Sequence, residues 1–245
     1  MTAAPSRTET AYQALRQSII EQALPPGTRL PEDVIGSQFG MSRTLTRATL
    51  ARLQVEGLVE AGRKRTATVA RPSLEEAKED FEVRRALERE VIRLVIARWK
   101  PEFGAVLEGH VREEDQAKSR HDAKVSIRLA GEFHIRLAEL SGNRLLRRYL
   151  SEVVSRCSLI LALYGRPHSS ECAVNEHREI IEALRCGDEK AATALMDRHV
   201  GLVEERALIG EPALDLGEVL SRYAAKIEKA KDVTSLAARK SAAAR

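Results

Sequence analysis

The hydrophobic pattern of the N-terminal region predicts three helices followed by a β-hairpin. Apolar residues at helical spacing define each helix, and helix-breaking residues separate them. The predicted elements are helices over residues 10–22, 31–39 and 43–56 and strands over residues 58–61 and 66–70. Residues 62–65, between the strands, read Gly-Arg-Lys-Arg, so the turn is basic. This order of elements is that of a winged helix-turn-helix, whose third helix enters the major groove of DNA.

Beyond residue 72 the pattern is helical, with no segment of strand alternation. Ser73 and Glu76 have the spacing of a capping box at the start of a long helix, and further helical segments follow. The sequence therefore predicts a mainly α protein: an N-terminal winged helix-turn-helix with a small β-hairpin, followed by six or seven helices. The predicted domains are residues 1–72, residues 73–225 and a basic Ala/Lys-rich tail over residues 226–245.

Composition excludes several other classes of protein. The chain of 245 residues is 31% charged and 4% aromatic, a balance that fits a helix-rich protein and neither a β-sandwich nor a disordered chain. It contains no apolar run long enough to span a membrane, and its polar start lacks the apolar core of a secretion signal. Cys157, Cys172 and Cys186 lack pair spacing. They are expected to be reduced thiols of a cytoplasmic protein.

Basic and hydroxyl residues cluster at the start of the third predicted helix: Arg43, Thr44, Thr46 and Arg47. Arg43 and Arg47 are four residues apart and share a face. The opposite face, with Leu45, Ala48 and Leu53, is expected to pack inward. An arginine can bind a guanine edge bidentately, while threonine and backbone N–H groups hold phosphate. Arg63, Lys64 and Arg65 in the basic turn would reach the DNA backbone or minor groove. Double-stranded operator DNA is therefore the predicted partner; the alternative is an ordinary helix with solvated arginines.

Four segments of the N-terminal region resemble the GntR family of bacterial transcription regulators. They are Tyr12-Gln13-Ala14-Leu15-Arg16, Pro26-Gly27-Thr28-Arg29-Leu30, Gly40-Met41-Ser42-Arg43-Thr44-Leu45-Thr46-Arg47 and Leu53-Gln54-Val55-Glu56-Gly57-Leu58-Val59. The resemblance covers nearly all of residues 10–70 and implies that Arg43, Thr44 and Arg47 are the main operator contacts. One departure is Asp33, which stands where many members have an arginine that touches phosphate.

Residues 75–225 resemble the FCD ligand-binding domain of the FadR subfamily, which implies that they form an all-α antiparallel bundle of six or seven helices. The matching segments are Val83-Arg84-Arg85-Ala86-Leu87-Glu88, Glu132-Phe133-His134, Ser141-Gly142-Asn143-Arg144-Leu145-Leu146, Glu176-His177-Arg178 and His199-Val200. In many such domains an aspartate and three histidines hold a divalent metal, and the resemblance implies His134, His177 and His199 as ligands here. Ala130 replaces the aspartate, so the implied site favours Zn²⁺ or Ni²⁺ over cations that prefer oxygen ligands.

The resemblance also implies a small-molecule effector inside the bundle. A carboxylate is the expected chemistry, bound by Arg84 together with His134, His177 and His199. Two alternatives remain open at this point. The histidines bind an organic acid directly without a metal, or Arg84 is a surface arginine on an amphipathic helix.

These observations together predict a homodimeric, ligand-responsive DNA-binding regulator, a repressor released by a small organic acid. An enzyme is not expected, because the sequence contains no phosphate loop, dinucleotide glycine motif or nucleophile elbow. Two rival classes remain. A helical metal-dependent hydrolase rests only on the adjacent pair His121-Asp122, and an effector-free architectural DNA-binding protein would use the bundle for dimerisation alone.

Overall fold

The N-terminal region of the computed structural model, which describes residues 6–61, 66–164 and 173–208, is a winged helix-turn-helix. It contains α1 Arg7–Ile20, β1 Arg29–Leu30, α2 Glu32–Phe39, α3 Arg43–Val55, β2 Val59–Glu60 and β3 Ala67–Val69. The strands form one antiparallel sheet in the order β1-β3-β2. The predicted hairpin is β2 and β3, whereas β1 is too short to show alternation in the sequence. The basic turn over residues 62–65 lies outside the described residues.

Local capping sets the turn between α2 and α3. Gly40 ends α2 with a φ of 60°, in the left-handed region that glycine adopts without steric cost. Two residues later, Ser42 Oγ accepts a hydrogen bond from the backbone N–H of Leu45 and so caps α3. These two short-range signals place α3 directly after α2, as the sequence predicts.

The buried face of α3 differs in part from the predicted one: Leu53 is buried as expected, whereas Leu45 and Ala48 are exposed. Its buried residues are Thr46, Thr49, Leu50 and Leu53. Leu45 is 45% exposed, although it was expected to pack inward. The Thr46 hydroxyl donates to the Ser42 carbonyl over 3.1 Å, so this side chain can be buried without an unsatisfied polar group. The prediction that Thr46 contacts DNA is therefore wrong.

Six helices make up the described part of the chain after β3. They are α4 Leu74–Ala97, α5 Pro101–Ser119, α6 Ala123–Leu140, α7 Arg144–Tyr164, α8 Ala173–Arg185 and α9 Glu189–Leu208. Ser73 and Glu76 form the predicted capping box at the start of α4. Short turns join α5 to α6, α6 to α7 and α8 to α9, and each pair packs together as neighbours in an antiparallel bundle. The end of the predicted helical domain, residues 209–225, and the tail over residues 226–245 lie outside the described residues.

The winged helix-turn-helix packs directly on α6 and α7. Leu159 of α7 is fully buried in the apolar cluster that α1, α3 and the strands form. Arg16 of α1 donates to Ser155 Oγ of α7 over 2.6 Å, and Glu21 pairs with Arg128 of α6 at 2.8 Å. Helices α6 and α7 therefore support the N-terminal region. None of the helices within residues 6–61, 66–164 and 173–208 is long and apolar enough to cross a membrane.

Candidate DNA-binding surface and histidine site

The exposed start of α3 presents Arg43, Thr44 and Arg47 to solvent. Arg47 Nε lies 2.9 Å from Glu32 Oε2, which holds the guanidinium between the starts of α2 and α3. Because the arginine side chain is exposed, this ion pair contributes little free energy, and a guanine edge or a phosphate can replace it. The other predicted contacts, Arg63, Lys64 and Arg65, fall in the segment that the structure does not describe.

A cluster of polar side chains holds the opposite end of α3 against α1. Tyr12 Oη donates to Glu56 Oε1 over 2.5 Å, and Arg16 Nε lies 3.5 Å from Glu56 Oε2. Burial, with the hydrogen bond to Glu56, raises the pKa of Tyr12 to about 12, so the phenol stays a protonated donor at physiological pH. Since Arg16 also donates to Ser155, this cluster connects α3 through α1 to α7.

Three histidines from different helices meet inside the helical region. His134 lies on α6, His177 on α8 and His199 on α9, and all three are buried. One ring nitrogen from each lies within 4.8 Å of the others, and His134 Nε2 is 3.2 Å from His199 Nε2. Phe133 stacks on His177 with 3.8 Å between the ring centroids, which fixes the plane of that imidazole. The structure thus brings together the three histidines that the sequence singles out.

A glutamate faces Nδ1 of each histidine. The pairs are Glu88 Oε1 with His134 at 2.7 Å, Glu114 Oε2 with His177 at 2.9 Å and Glu176 Oε2 with His199 at 2.6 Å. Glu114 and Glu176 accept hydrogen bonds from Nδ1 of His177 and His199, so these two Nδ1 atoms carry the proton and their Nε2 atoms keep the lone pair. His134 Nδ1 lies close to Glu88 but makes no hydrogen bond with it. Histidines that ligate metals usually have such an acceptor behind them. None of these glutamates was predicted as part of the site.

The Nε2 atoms of the three histidines form a suitable set of metal ligands. His134 Nε2 faces the lone pair of His199 Nε2 at 3.2 Å, a distance that suits either a proton on His134 Nε2 or a cation bound by both nitrogens. His177 Nε2 is buried and finds no hydrogen-bond partner in the described part of the chain. Three imidazoles are a suitable donor set for Zn²⁺ or Ni²⁺ and leave one position open. Ala130 has no donor atom and lines the cavity beside His134, so it supplies no fourth ligand.

Burial sets the protonation of this site. It lowers the pKa of His134 and of His199 well below 6.5, so both rings are neutral at physiological pH and can ligate a cation. Burial raises the pKa of Glu88 to about 7, although Arg84 opposes the shift. Burial also disfavours ionised Glu114, but hydrogen bonds from His110 and His177 hold its pKa below the ordinary 4.5. In mild acid Glu88, which lies against His134, is therefore protonated.

Replacing Glu88 by glutamine is expected to make the loss of stability in mild acid steeper. Below about pH 6.5 the unfolded chain binds protons that folded His134 and His199 do not, so their stabilising contribution is lost as the pH falls. Glu88 has the opposite effect on stability. Because its pKa is raised in the folded protein, it stabilises the fold at low pH, and this stabilisation is lost as the pH rises from 4.5 to about 7. Replacing Glu88 should therefore steepen the dependence of the free energy of unfolding on pH by about 1.4 kcal/mol per pH unit between about pH 5 and 6.5.

Urea unfolding of the wild type and of Glu88→Gln across this pH range measures the two slopes. Glu113→Gln makes the same change at an exposed position on α5 and serves as the control. Equal slopes for the wild type and the Glu88 variant would contradict the assignment of the proton to Glu88.

A cavity of about 460 Å³ opens beside the histidines. Arg84 lines it and is buried, so the alternative of a solvated surface arginine is wrong. Arg84 Nε lies 3.4 Å from Glu88 Oε1, one turn further along α4. Other lining residues include the cationic Lys118 and Arg206, the acidic Glu114, the hydroxyl-bearing Ser126 and Ser158, and apolar side chains such as Ile127, Val154, Leu161 and Val203. A pocket that combines cations with a largely apolar wall suits an organic anion.

A winged helix-turn-helix with an exposed cationic α3, joined to a helical domain with a buried histidine site, defines a class of DNA-binding transcription regulators. Residues 7–69 match the bacterial regulatory proteins of the gntR family, and residues 79–202 match the FCD domain. The chain belongs to the GntR family of bacterial transcription regulators and carries an FCD domain.

Other regulators resemble this chain over most of its length. It is 28% identical over 186 residues to the uncharacterised HTH-type transcriptional regulator YdhC of Bacillus subtilis (strain 168), covering 74% of this chain and 82% of YdhC. It is 22% identical over 195 residues to the HTH-type transcriptional repressor RspR of Escherichia coli (strain K12), covering 79% and 86%. The crystal structure of a putative transcriptional regulator GntR from Rhodococcus sp. RHA1 superposes with a TM-score of 0.72 at 24% identity, covering 83% and 98%. The last likeness confirms the mainly α fold.

Proposed function

We propose that this regulator is a repressor that a small organic acid releases from its operator. The cavity carries the proposal: it is lined by Arg84, His134 and His199 and also by residues of α6 and α7, the helices that support the winged helix-turn-helix. A ligand in the cavity therefore touches the helices that position α3. The relative RspR is named a repressor, which favours repression over activation.

The effector in this proposal is a carboxylate bound by Arg84 and the histidine site. His134, His177 and His199 would hold a Zn²⁺ or Ni²⁺ ion, which when bound supplies a positive, open coordination position for the acid. Glu114 and Glu176 orient His177 and His199 through hydrogen bonds at Nδ1, and Glu88 lies against Nδ1 of His134. Arg84 supplies a guanidinium already buried at the cavity wall, where an ion pair with a carboxylate is little screened by water.

The proposal includes a homodimer, because one α3 reads only one half of an operator. Two copies of α3 about 34 Å apart would read the two halves of a pseudo-palindrome. The acid releases the DNA if it binds more tightly to an arrangement of the two heads that does not fit this spacing. A regulator of bacterial transcription meets its operator in the cytoplasm, and we expect this protein to act there.

Arg47→Ala is expected to weaken operator binding by about 1–3 kcal/mol, the usual contribution of an arginine that reads a base edge. Arg47 is exposed at the start of α3, and only Glu32 holds its guanidinium among the described residues. Fluorescence anisotropy with the DNA upstream of the protein's own gene, over a salt series and against random competitor, measures the change. Arg112→Ala removes one charge from the exposed side of α5 and should leave the affinity unchanged. Unchanged affinity of the Arg47 variant would mean that α3 does not read the operator.

The release step is tested on the same complex with a panel of organic acids. Dissociation of the operator by an acid that survives unchanged supports a ligand-responsive repressor. Tight operator binding that no acid relieves would favour the architectural protein, and consumption of the acid would favour a hydrolase.

A further inference from the structure

The cavity is not lined by the helical domain alone. Gln22, which follows α1 in the winged helix-turn-helix, also lies on its wall. Its backbone has a φ of 58°, in the left-handed region that residues other than glycine adopt at a cost in free energy. Gln22 is half-buried, and within residues 6–61, 66–164 and 173–208 no protein group forms a hydrogen bond with its side-chain amide. A polar side chain at the cavity wall is thus available to a ligand.

Gln22 and the histidines lie at different places along the cavity. Glu21, the residue before Gln22, pairs with Arg128 of α6 at 2.8 Å, whereas His134 lies six residues further along α6. At the rise of an α-helix this separation is roughly 9 Å along the axis. The α6 residues between these two levels include Ala130 and Gly131, which also line the cavity and contribute no polar side chain.

We propose that Gln22 is a ligand-binding residue that the DNA-binding region supplies to the effector cavity. The ligand is an elongated carboxylic acid with a second polar group at its far end. Its carboxylate lies against Arg84 and the histidine site, its chain lies along α6, and its far group exchanges a hydrogen bond with the Gln22 amide. This inference rests on the proposed function, since it specifies which acids the same cavity accepts.

The contact would let the DNA-binding region sense the ligand directly. The helix before Gln22, α1, carries Tyr12 and Arg16, which both interact with Glu56 at the end of α3. A ligand bound to Gln22 therefore acts on the element that holds α3 in place. An acid too short to reach Gln22 would occupy the histidine end without this contact.

Three acids of equal chain length test the proposal, because they differ only in the far group: caproate ends in a methyl group, adipate in a carboxylate and ε-aminocaproate in an ammonium group. Titration calorimetry is carried out on the full-length wild type and on Gln22→Glu. A glutamine amide can donate to a carboxylate or accept from an ammonium group, so the wild type should bind adipate and ε-aminocaproate more tightly than caproate. Glutamate has nearly the same shape but repels adipate and attracts ε-aminocaproate. The ratio of these two affinities should therefore shift about tenfold or more in favour of ε-aminocaproate.

Gln116→Glu, which makes the same change at an exposed position on α5, should leave that ratio unchanged. A ratio that is equally unchanged in Gln22→Glu would overturn the proposal, and so would a wild type that binds none of the three acids. Because calorimetry needs no DNA, these outcomes are separate from a failure of the wild type to bind operator, which would count against the proposed function instead.

Discussion

Phe133→Ala is expected to destabilise the protein by about 3–5 kcal/mol, the usual cost of truncating a fully buried phenylalanine. Phe133 is 0% exposed and lies in the core between the helices. It also contacts the histidine site, since its ring stacks on His177 and meets His134 edge-on at 5.6 Å between centroids. Its removal should therefore lower the free energy of unfolding and also leave the His177 ring without its packing partner. Urea unfolding measures the first effect.

Phe81→Ala is the matched control for the second effect. Phe81 is also 0% exposed in the same core, but its ring makes no aromatic contact with a histidine in the described part of the chain. The two variants should lose similar stability, while only Phe133→Ala should weaken the binding of zinc to the folded protein. A Phe133 variant that loses less than about 1 kcal/mol would contradict the packing described above.

Short-range patterns in the sequence are sufficient to predict the helices and several of the residues at which they begin or end. Ser42, Gly40 and the pair of Ser73 with Glu76 act through hydrogen bonds or backbone angles within a few residues of themselves. Such signals do not depend on the rest of the fold, so they can be read without it. The order of the helices and the position of the hairpin follow from them and from the apolar spacing, whereas the antiparallel bundle follows from the resemblance to FCD domains.

The face of α3 could not be predicted in the same way. Its spacing permits two buried faces, and hydrophobicity favours the one with Leu45 over the one with Thr46. The prediction that the face with Leu45 is buried fails because the threonines can be buried instead. The hydroxyls of Thr46 and Thr49 donate to the backbone carbonyls of Ser42 and Leu45, four residues earlier. With the hydroxyl satisfied inside the helix, threonine packs like a small apolar residue. Leu45 is left on the exposed side, next to the basic residues of α3.

The histidine site shows the other limit of sequence reasoning. The resemblance to FCD domains points to the three histidines, but nothing local points to the glutamates behind them. Glu176 precedes His177 in the chain and yet faces His199, 23 residues later. Glu88 and Glu114 come from α4 and α5 and reach histidines on other helices. Pairings of this kind depend on how the helices pack, which the periodicity of a single helix does not contain.

His177→Ala is expected to weaken zinc binding by at least about a hundredfold. Loss of an outer-shell partner alone reduces metal affinity by about 10–100-fold, and His177 would be a direct ligand. The structure gives a reason to choose this residue: its Nε2 is buried and lacks a partner in the described part of the chain, while Glu114 holds its Nδ1. The measurement is zinc titration of protein purified without a metal-affinity column and treated with a chelator.

His121→Asn is the control, because it removes an exposed imidazole, and asparagine tolerates the left-handed backbone that His121 adopts with a φ of 56°. Zinc at about a hundred times its Kd should stabilise the wild type and this control by about 2.7 kcal/mol, whereas His177→Ala should gain far less. Magnesium should stabilise none of them, since Mg²⁺ prefers oxygen ligands and Ala130 offers none. Zinc binding that survives His177→Ala would show that the ion lies elsewhere. If neither zinc nor nickel stabilises the wild type, the histidines are left to bind the acid directly, with Arg84 as the buried cation at the cavity wall.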